Sequence, residues 1–96
     1  MTERSLLVTA RLGLHARAAA KVVRVAQAFN STVELRRVDN RVTADAKSIL
    51  SVLMLAASRG TELHATAEGI DEEAALNALD QLFAQGFGEM EQESPE

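Results

Sequence analysis

The chain contains no cysteine, tryptophan or tyrosine, only one proline, and only three phenylalanines. The absence of cysteine excludes disulfide bonds, thiolate nucleophiles and cysteine-based metal sites. Because aromatic residues make up only 3% of the chain, aliphatic side chains must supply most of the core. The stability of the fold therefore depends on the packing of small and branched side chains, without covalent cross-links.

Long apolar runs are missing as well. No stretch approaches the roughly 18 consecutive apolar residues of a membrane-spanning helix, and the N-terminus lacks the basic and then apolar pattern of a secretory signal. We therefore expect a cytoplasmic protein that does not insert into a membrane. A chain of 96 residues suits one hydrophobic core, because two shorter halves would bury too little apolar surface.

The formal net charge of −4 is unevenly distributed along the chain. Residues 89–96 contain four Glu and no Lys or Arg, which leaves residues 1–88 formally neutral. We predict one folded domain over residues 1–88 and a disordered acidic tail over residues 89–96. The acidic balance argues against a nucleic-acid partner, although basic residues grouped at positions 11–24 and 36–47 predict a local positive face.

Hydrophobic periodicity predicts the order strand, helix, strand, strand, helix, strand, helix. The predicted strands are residues 5–10, 32–38, 41–44 and 61–67. The predicted helices are residues 16–29, residues 48–58 with Ser48 as N-cap, and a last helix that follows Asp71 as N-cap. This order suits the α+β class, with an antiparallel or mixed sheet covered on one face by helices.

His15 lies between a strand-ending glycine and the first turn of a helix, where Ser, Thr, Asp or Asn is the usual N-cap. The departure suggests a function, because a stabilising cap has been given up for another side chain. A helix start offers N–H donors and the positive end of the helix dipole to an anion such as phosphate. A neutral imidazole can attack phosphorus, and Arg17 adds donors for phosphate oxygens. On spacing alone, an ordinary loop histidine and a solvated arginine explain the pattern as well.

Three ordered segments of the chain resemble the HPr family, the histidine-containing phosphocarriers of the bacterial phosphotransferase system. The motif Gly13-Leu14-His15-Ala16-Arg17 is similar to the family's G-L-H-A-R-P signature. Residues 46–53 resemble the segment around the family's regulatory serine, and residues 67–74 resemble its last strand-to-helix junction. The resemblance extends over about residues 5–87.

The resemblance implies an open-faced β-sandwich, in which a four-stranded antiparallel sheet carries three helices on one face. It also implies that His15 accepts a phosphoryl group on Nδ1 from enzyme I, which is charged by phosphoenolpyruvate, and passes it to an enzyme IIA domain in sugar uptake. Arg17 would stabilise the phosphate. No cofactor or metal is implied, and we expect a monomeric carrier without independent catalytic turnover.

Ser48 has two interpretations. As an N-cap it needs no further role, whereas the resemblance places it at the site of HPr kinase/phosphorylase, where a phosphate would repel acidic partners. The helix after it is apolar around more of its circumference than one buried face requires. We interpret that excess as a mixture of core and docking surface. The expected partner-binding residues are Ala16, Ala20, Ile49, Leu50 and Leu53.

One departure from the family concerns Ala18, which stands where the family usually has Pro. Alanine is a strong helix former, so we expect the helix to persist, but with a different rigidity around His15. His64 lies inside a predicted strand and is expected to be structural or on the surface. Three other functions stay open: a regulatory carrier of the nitrogen branch, an interaction module without phosphorylation, and a small phosphate-processing enzyme.

Overall fold

The computed structural model describes residues 1–88, and the predicted acidic tail, residues 89–96, lies outside the described residues. The strands are β1 (Thr2–Leu7), β2 (Thr32–Arg37), β3 (Thr43–Asp45) and β4 (Glu62–Glu68). The helices are α1 (Ala16–Gln27), α2 (Ile49–Leu53) and α3 (Glu72–Ala84), followed by a 3-10 turn at Gly86–Gly88. The predicted element order is confirmed.

The four strands form one sheet in the order β1-β4-β2-β3, and all neighbouring strands are antiparallel. Leu63 in β4 pairs with Leu6 in β1, and Ala65, two residues further along β4, pairs with Leu35 in β2. These side chains are buried, whereas the intervening positions are largely exposed. Because side chains alternate between the two faces of a sheet, the helices cover one face only. The predicted α+β open-faced β-sandwich is confirmed.

The core between sheet and helices is mainly aliphatic, as the composition predicts. Helix α1 buries Ala18, Ala19, Val22, Val23 and Ala26. Helix α3 buries Ala75, Leu76, Leu79 and Phe83. The ring of Phe83 meets that of Phe87 edge to face, with centroids 4.9 Å apart, an arrangement that aromatic pairs prefer. No helix within residues 1–88 is long and apolar enough to cross a membrane.

Several predicted boundaries were wrong, among them those of β1 and α2. Strand β1 begins three residues earlier than predicted, because its pairing with β4 continues out to Thr2 opposite Ala67. Helix α2 ends at Leu53 and not at residue 58. Ala56 has φ 51°, in the left-handed region that a right-handed helix cannot include. The buried residues around it, Leu55 and Ala57, therefore belong to a loop.

Asp71 precedes α3 as predicted, but its side chain makes no hydrogen bond that caps this helix. Its carboxylate instead accepts from the backbone N–H groups of Asn30 (2.8 Å) and Ser31 (2.9 Å) and from the Ser31 hydroxyl (2.5 Å). These bonds hold the pKa of Asp71 below its usual value, with the Ser31 hydroxyl as the largest cause. Asp71 thus joins the start of α3 to the segment that follows α1.

Candidate functional site

The loop between β1 and α1 is anchored to the loop that follows α2. Gly13 has φ 70°, and a Cβ added there would lie 2.7 Å from the carbonyl oxygen of Ala57. Glycine is the residue that tolerates both the positive φ and the close approach of that carbonyl. The N–H of Leu14 donates to the same carbonyl at 2.8 Å, and the Leu14 side chain is buried. The residues just before His15 are therefore fixed by Ala57.

His15 is the N-cap residue of α1, with extended backbone angles of φ −79° and ψ −175°. Its Nδ1 accepts a hydrogen bond from the backbone N–H of Arg17 at 3.2 Å, and its carbonyl accepts from Ala19 at 2.7 Å. The interpretation that the cap had been given up was wrong, since the imidazole nitrogen takes the place of the usual side-chain oxygen. The structure thus puts the predicted nucleophile at the helix start.

The hydrogen bond to Nδ1 indicates which nitrogen of the His15 ring carries the lone pair. An acceptor nitrogen must carry a lone pair, so in the neutral ring the proton is assigned to Nε2. The Nε2 atom of His15 is buried, whereas Nδ1 is turned toward the backbone N–H groups that begin α1. The nitrogen with the lone pair is therefore the one beside the positive end of the helix dipole.

The charges around the first turn of α1 favour an anion. This turn contains no acidic residue, and Arg17 is exposed within it. Ala18, at the position of the family's proline, is fully buried inside the helix, which confirms the expectation that α1 persists. One turn further, Lys21 donates from Nζ to the carbonyl of Phe87 at 2.6 Å. The site is thus joined to the end of the described chain.

The residues expected to bind partners fall into two groups. Ala16 is exposed, and Ala20 and Ile49 line a groove of about 440 Å³ between α1 and α2. Leu50 is 70% exposed and Ile49 46% exposed. Leu53, by contrast, is partly buried and packs against the core. The expected mixture of core and surface on α2 is confirmed, and Leu53 belongs mainly to the core.

Ser48 is the N-cap of α2, as predicted, because its hydroxyl oxygen accepts from the N–H of Ser51 at 3.2 Å. The turn before it is attached to the end of α1. Lys47 donates from Nζ to the carbonyl of Phe29 at 2.9 Å, and Gln27 donates to the carbonyl of Lys47 at 3.3 Å. These contacts set the position of Ser48 relative to α1.

His64 lies away from this site, on the open face of the sheet. Its Nε2 is 3.1 Å from a carboxylate oxygen of Glu3, which agrees with the structural or surface role that we expected. Within residues 1–88, no group of three or more His, Asp or Glu side chains is arranged to hold a metal ion.

Arg37, at the end of β2, is a residue that no sequence motif pointed to. Its Nη1 donates to the carbonyl oxygens of Leu55 (2.9 Å) and Ala56 (3.1 Å). Its Nη2 and Nε donate to the Asp39 carboxylate at 2.7 and 3.0 Å, and these bonds lower the pKa of Asp39. The alternation of buried and exposed side chains along β2 could have indicated it, since Arg37 lies on the same face of the strand as the buried Val33 and Leu35.

Comparisons with known proteins agree with this architecture. A family model described as "PTS HPr component phosphorylation site" matches residues 2–85. The chain is 45% identical to the phosphocarrier protein HPr of Xylella fastidiosa, over 93% of this chain and 98% of that protein. It is also similar to the crystal structure of HPr-C-His from Thermoanaerobacter tengcongensis, with a TM-score of 0.85, 39% identity, and coverage of 92% of this chain and 97% of that one. The HPr dimer structure from the same organism matches with a TM-score of 0.71, 36% identity, and coverage of 92% and 99%.

Proposed function

The chain belongs to the HPr family of phosphocarriers of the phosphotransferase system, and from that premise we propose that His15 accepts a phosphoryl group from phospho-enzyme I. The phosphoryl group then passes to enzyme IIA domains in phosphoenolpyruvate-dependent sugar uptake. The observation that carries the proposal is the orientation of His15, whose Nδ1 accepts from the Arg17 N–H at the start of α1.

The transfer is a displacement at phosphorus. The Nδ1 lone pair forms the new N–P bond, while the bond from phosphorus to enzyme I breaks and leaves its electron pair on the donor group. Once Nδ1 is bonded to phosphorus, it can no longer accept the N–H of Arg17. That donor, 3.2 Å from Nδ1 in the unmodified protein, then serves a phosphoryl oxygen at the helix N-terminus. Passage to enzyme IIA reverses these steps.

Arg17 acts on the same group through its side chain. A guanidinium presents several donors in a fork that matches the oxygens of phosphate, and Arg17 lies in a helical turn that contains no acidic residue. Arg17 therefore stabilises the negative charge on the transferring group. Its role concerns both the bound phosphoryl group and the transition state.

We assign partner docking to a surface defined by Ala16, Ala20, Ile49 and Leu50, with Leu53 supporting it from the core side. Exposed apolar side chains next to a polar reaction centre are typical of protein interfaces. A Leu50→Glu variant should slow transfer without unfolding the domain, because the Leu50 side chain is 70% exposed. Leu53→Glu should slow transfer too, but with a loss of stability, because Leu53 packs on the core.

Ser48 is proposed as a regulatory site for HPr kinase/phosphorylase. Its hydroxyl caps α2, and Ile49 and Leu50 of the docking surface follow directly. A phosphate on Ser48 would add negative charge beside that surface and repel an acidic partner. Incubation with the kinase and ATP, followed by mass spectrometry of wild type and Ser48→Ala, tests this assignment; phosphate on both proteins would contradict it.

The carrier is proposed to work in the cytoplasm as a monomer. A single copy already contains His15, Arg17 and the docking surface, so the transfer needs no second copy. The dimer structure of the related protein from Thermoanaerobacter tengcongensis defines the alternative. Light scattering during size-exclusion chromatography at micromolar concentration distinguishes the two states directly.

The deciding experiment is intact mass spectrometry after incubation with phosphoenolpyruvate and enzyme I. Wild type should gain one acid-labile phosphoryl group, and His15→Ala should gain none. A matched control is His64→Ala, which removes the other histidine of the chain and should leave the gain intact.

The outcomes separate the alternatives. Phosphorylation of wild type and His64→Ala, but not of His15→Ala, supports the carrier. A second incubation with a sugar-branch or a nitrogen-branch IIA domain then identifies the acceptor. No phosphoryl group on wild type, with an enzyme I shown to be active on another HPr, would favour the interaction module. Steady release of inorganic phosphate from a phosphate ester by the purified chain would favour the enzyme.

A further inference from the structure

We infer that Arg37 is a positioning residue for His15, acting through the loop of residues 55–58 on which the His15 loop rests. The inference depends on the proposed function, since positioning matters only if His15 accepts a phosphoryl group. Arg37 itself does not touch the reacting atoms. It is linked to them by consecutive contacts that run from the end of β2 to the start of α1.

The first contact places one guanidinium nitrogen under the loop. Nη1 of Arg37 donates to the carbonyl oxygens of both Leu55 and Ala56, at 2.9 and 3.1 Å. The Arg37 side chain is only 16% exposed, and its bond to Leu55 is part-buried, whereas the bond to Ala56 lies at an exposed position. One group thus holds two successive peptide units in a fixed orientation.

The peptide units held by Arg37 need such support. Ala56 has φ 51°, a left-handed backbone that is unfavourable for residues with a Cβ. A conformation of this kind persists only when the surroundings enforce it. Because Nη1 binds the carbonyls on both sides of the Ala56 α-carbon, Arg37 stabilises the torsion angles that direct the chain into Ala57.

The loop of residues 55–58 contacts the residues just before His15. The carbonyl of Ala57 accepts the N–H of Leu14 at 2.8 Å, and Gly13 packs so closely on Ala57 that a Cβ there would lie 2.7 Å from the same oxygen. A rotation of the Ala57 peptide would therefore displace the residue next to His15. The phosphoryl acceptor is held from both sides, by α1 after it and by Ala57 before it.

Asp39 aligns the guanidinium for this task. Its two carboxylate oxygens accept from Nε and Nη2 of Arg37, at 3.0 and 2.7 Å. This fork uses one edge of the guanidinium and leaves Nη1 directed at the loop. Lysine would keep the charge but could not reproduce the fork and both carbonyl contacts together.

The test compares Arg37→Met and Arg37→Lys with wild type, and Arg36→Met serves as the matched control. Arg36 is the neighbouring residue, but its side chain is exposed on the open face. Two quantities are measured on folded protein: kcat and KM for phosphorylation by enzyme I, and the hydrogen-exchange rate of the Leu14 amide. The second reports the Ala57 contact without any chemistry.

We expect Arg37→Met to lower kcat about tenfold with little change in KM, part of the roughly 100-fold that a displacement of about 1 Å can cost. The Leu14 amide should exchange faster in the same variant. Arg37→Lys should lie between Arg37→Met and wild type in both measurements, and Arg36→Met should match wild type.

An unchanged kcat in folded Arg37→Met would overturn the inference, whether or not the Leu14 amide exchanges faster, since Arg37 would then be structural only. If Arg37→Met does not fold, the same kcat measurement on Asp39→Asn tests the inference. That variant weakens the bonds that orient the guanidinium but keeps Arg37 itself. A wild type that gains no phosphoryl group refutes the proposed function itself, which is a different result from equal rates in wild type and variant.

Discussion

The first turns of α1 and α3 have the same backbone feature, a set of N–H donors at the positive end of a helix dipole, but opposite side-chain charges. The turn of α3 carries Glu72 and Glu73 directly after Asp71, whereas the turn of α1 contains Arg17 and no acidic residue. At α3 the Glu72 carboxylate accepts from the Gly69 N–H at 3.1 Å. At α1 the His15 imidazole nitrogen accepts instead from the Arg17 N–H, which lies inside the helix.

The difference shows what turns a common structural element into a candidate site for phosphate. Glu72 also accepts from the Thr2 hydroxyl at 2.6 Å, and this bond is the largest cause of its lowered pKa. The anion that the α3 terminus favours is thus already supplied by the chain itself. The first turn of α1 carries no acidic side chain of its own, and under the proposed function the imidazole that caps this helix forms the bond to the phosphoryl group.

The largest effect is expected from removing the positive charge of the α1 turn. Arg17→Gln should lower kcat/KM for phosphorylation about 100- to 1,000-fold, the usual cost of losing one donor to a developing anion. Arg36→Gln removes the same charge from the open face and should have little effect. Rapid-quench kinetics with enzyme I measures both, and equal rates for the two variants would show that the α1 turn is not the anion site.

A smaller effect should follow from giving α1 the charge of α3. Ala16→Glu places a carboxylate in the exposed first turn, where it stabilises the helix by about 0.3–1 kcal/mol but repels the incoming phosphoryl group. We expect transfer to slow about tenfold at low ionic strength, with partial recovery in high salt.

Ala16→Gln is the control for this change, since it adds the same bulk without charge. Thermal unfolding in parallel confirms that α1 is intact in both variants. If Glu and Gln at position 16 slow transfer equally, the cause is steric interference with docking, and the electrostatic difference between the two helix termini has no part in it.

The site was more predictable from the sequence than some of its surroundings. His15 and Arg17 are neighbours along the chain at a helix start, so local pattern and family resemblance together identify them. The capping role of the imidazole was missed, because Nδ1 replaces an oxygen that N-cap preferences would favour. Ser48 was predicted correctly as a cap, since its partner Ser51 lies only three residues further along.

The contacts that sequence analysis missed join distant parts of the chain. Helix α2 was predicted too long because the end of the helix depends on Ala56, whose carbonyl is held by Arg37 from another element. Asp71 was expected to cap its own helix but binds Ser31, which lies 40 residues earlier in the chain. Helix and cap preferences describe local competition, and tertiary hydrogen bonds override them at these positions.

The next effect tests the prediction that the α3 terminus is structural. Ser31 is fully buried, so Ser31→Ala removes a buried hydrogen-bonded hydroxyl and should lower the free energy of unfolding by about 1 kcal/mol. Phosphorylation of His15 should be unchanged, in contrast to the α1 variants. Urea denaturation measures the loss, and Thr32→Ala at the neighbouring exposed position should stay within about 0.5 kcal/mol of wild type. A slower transfer in Ser31→Ala would show that the two helix termini are coupled.

The smallest effect at neutral pH is expected from Asp71→Asn, because the amide oxygen can still accept from the N–H and the hydroxyl of Ser31. Only the exposed bond from the Asn30 N–H is lost. The pKa of Asp71 is lowered in the folded state, so its contribution to stability is complete above the unfolded value of about 3.9 and is lost as the pH falls through the folded pKa. Wild type should therefore lose stability below about pH 4 more steeply than Asp71→Asn, as measured by urea denaturation over a pH series. Glu73→Gln removes the same charge from the same turn, and its pH profile should stay nearer to that of wild type. Identical acid profiles for wild type and Asp71→Asn would mean that the bonds to Ser31 and Asn30 do not depend on the ionised carboxylate. The difference in charge between the α3 and α1 termini would then rest on Glu72 alone.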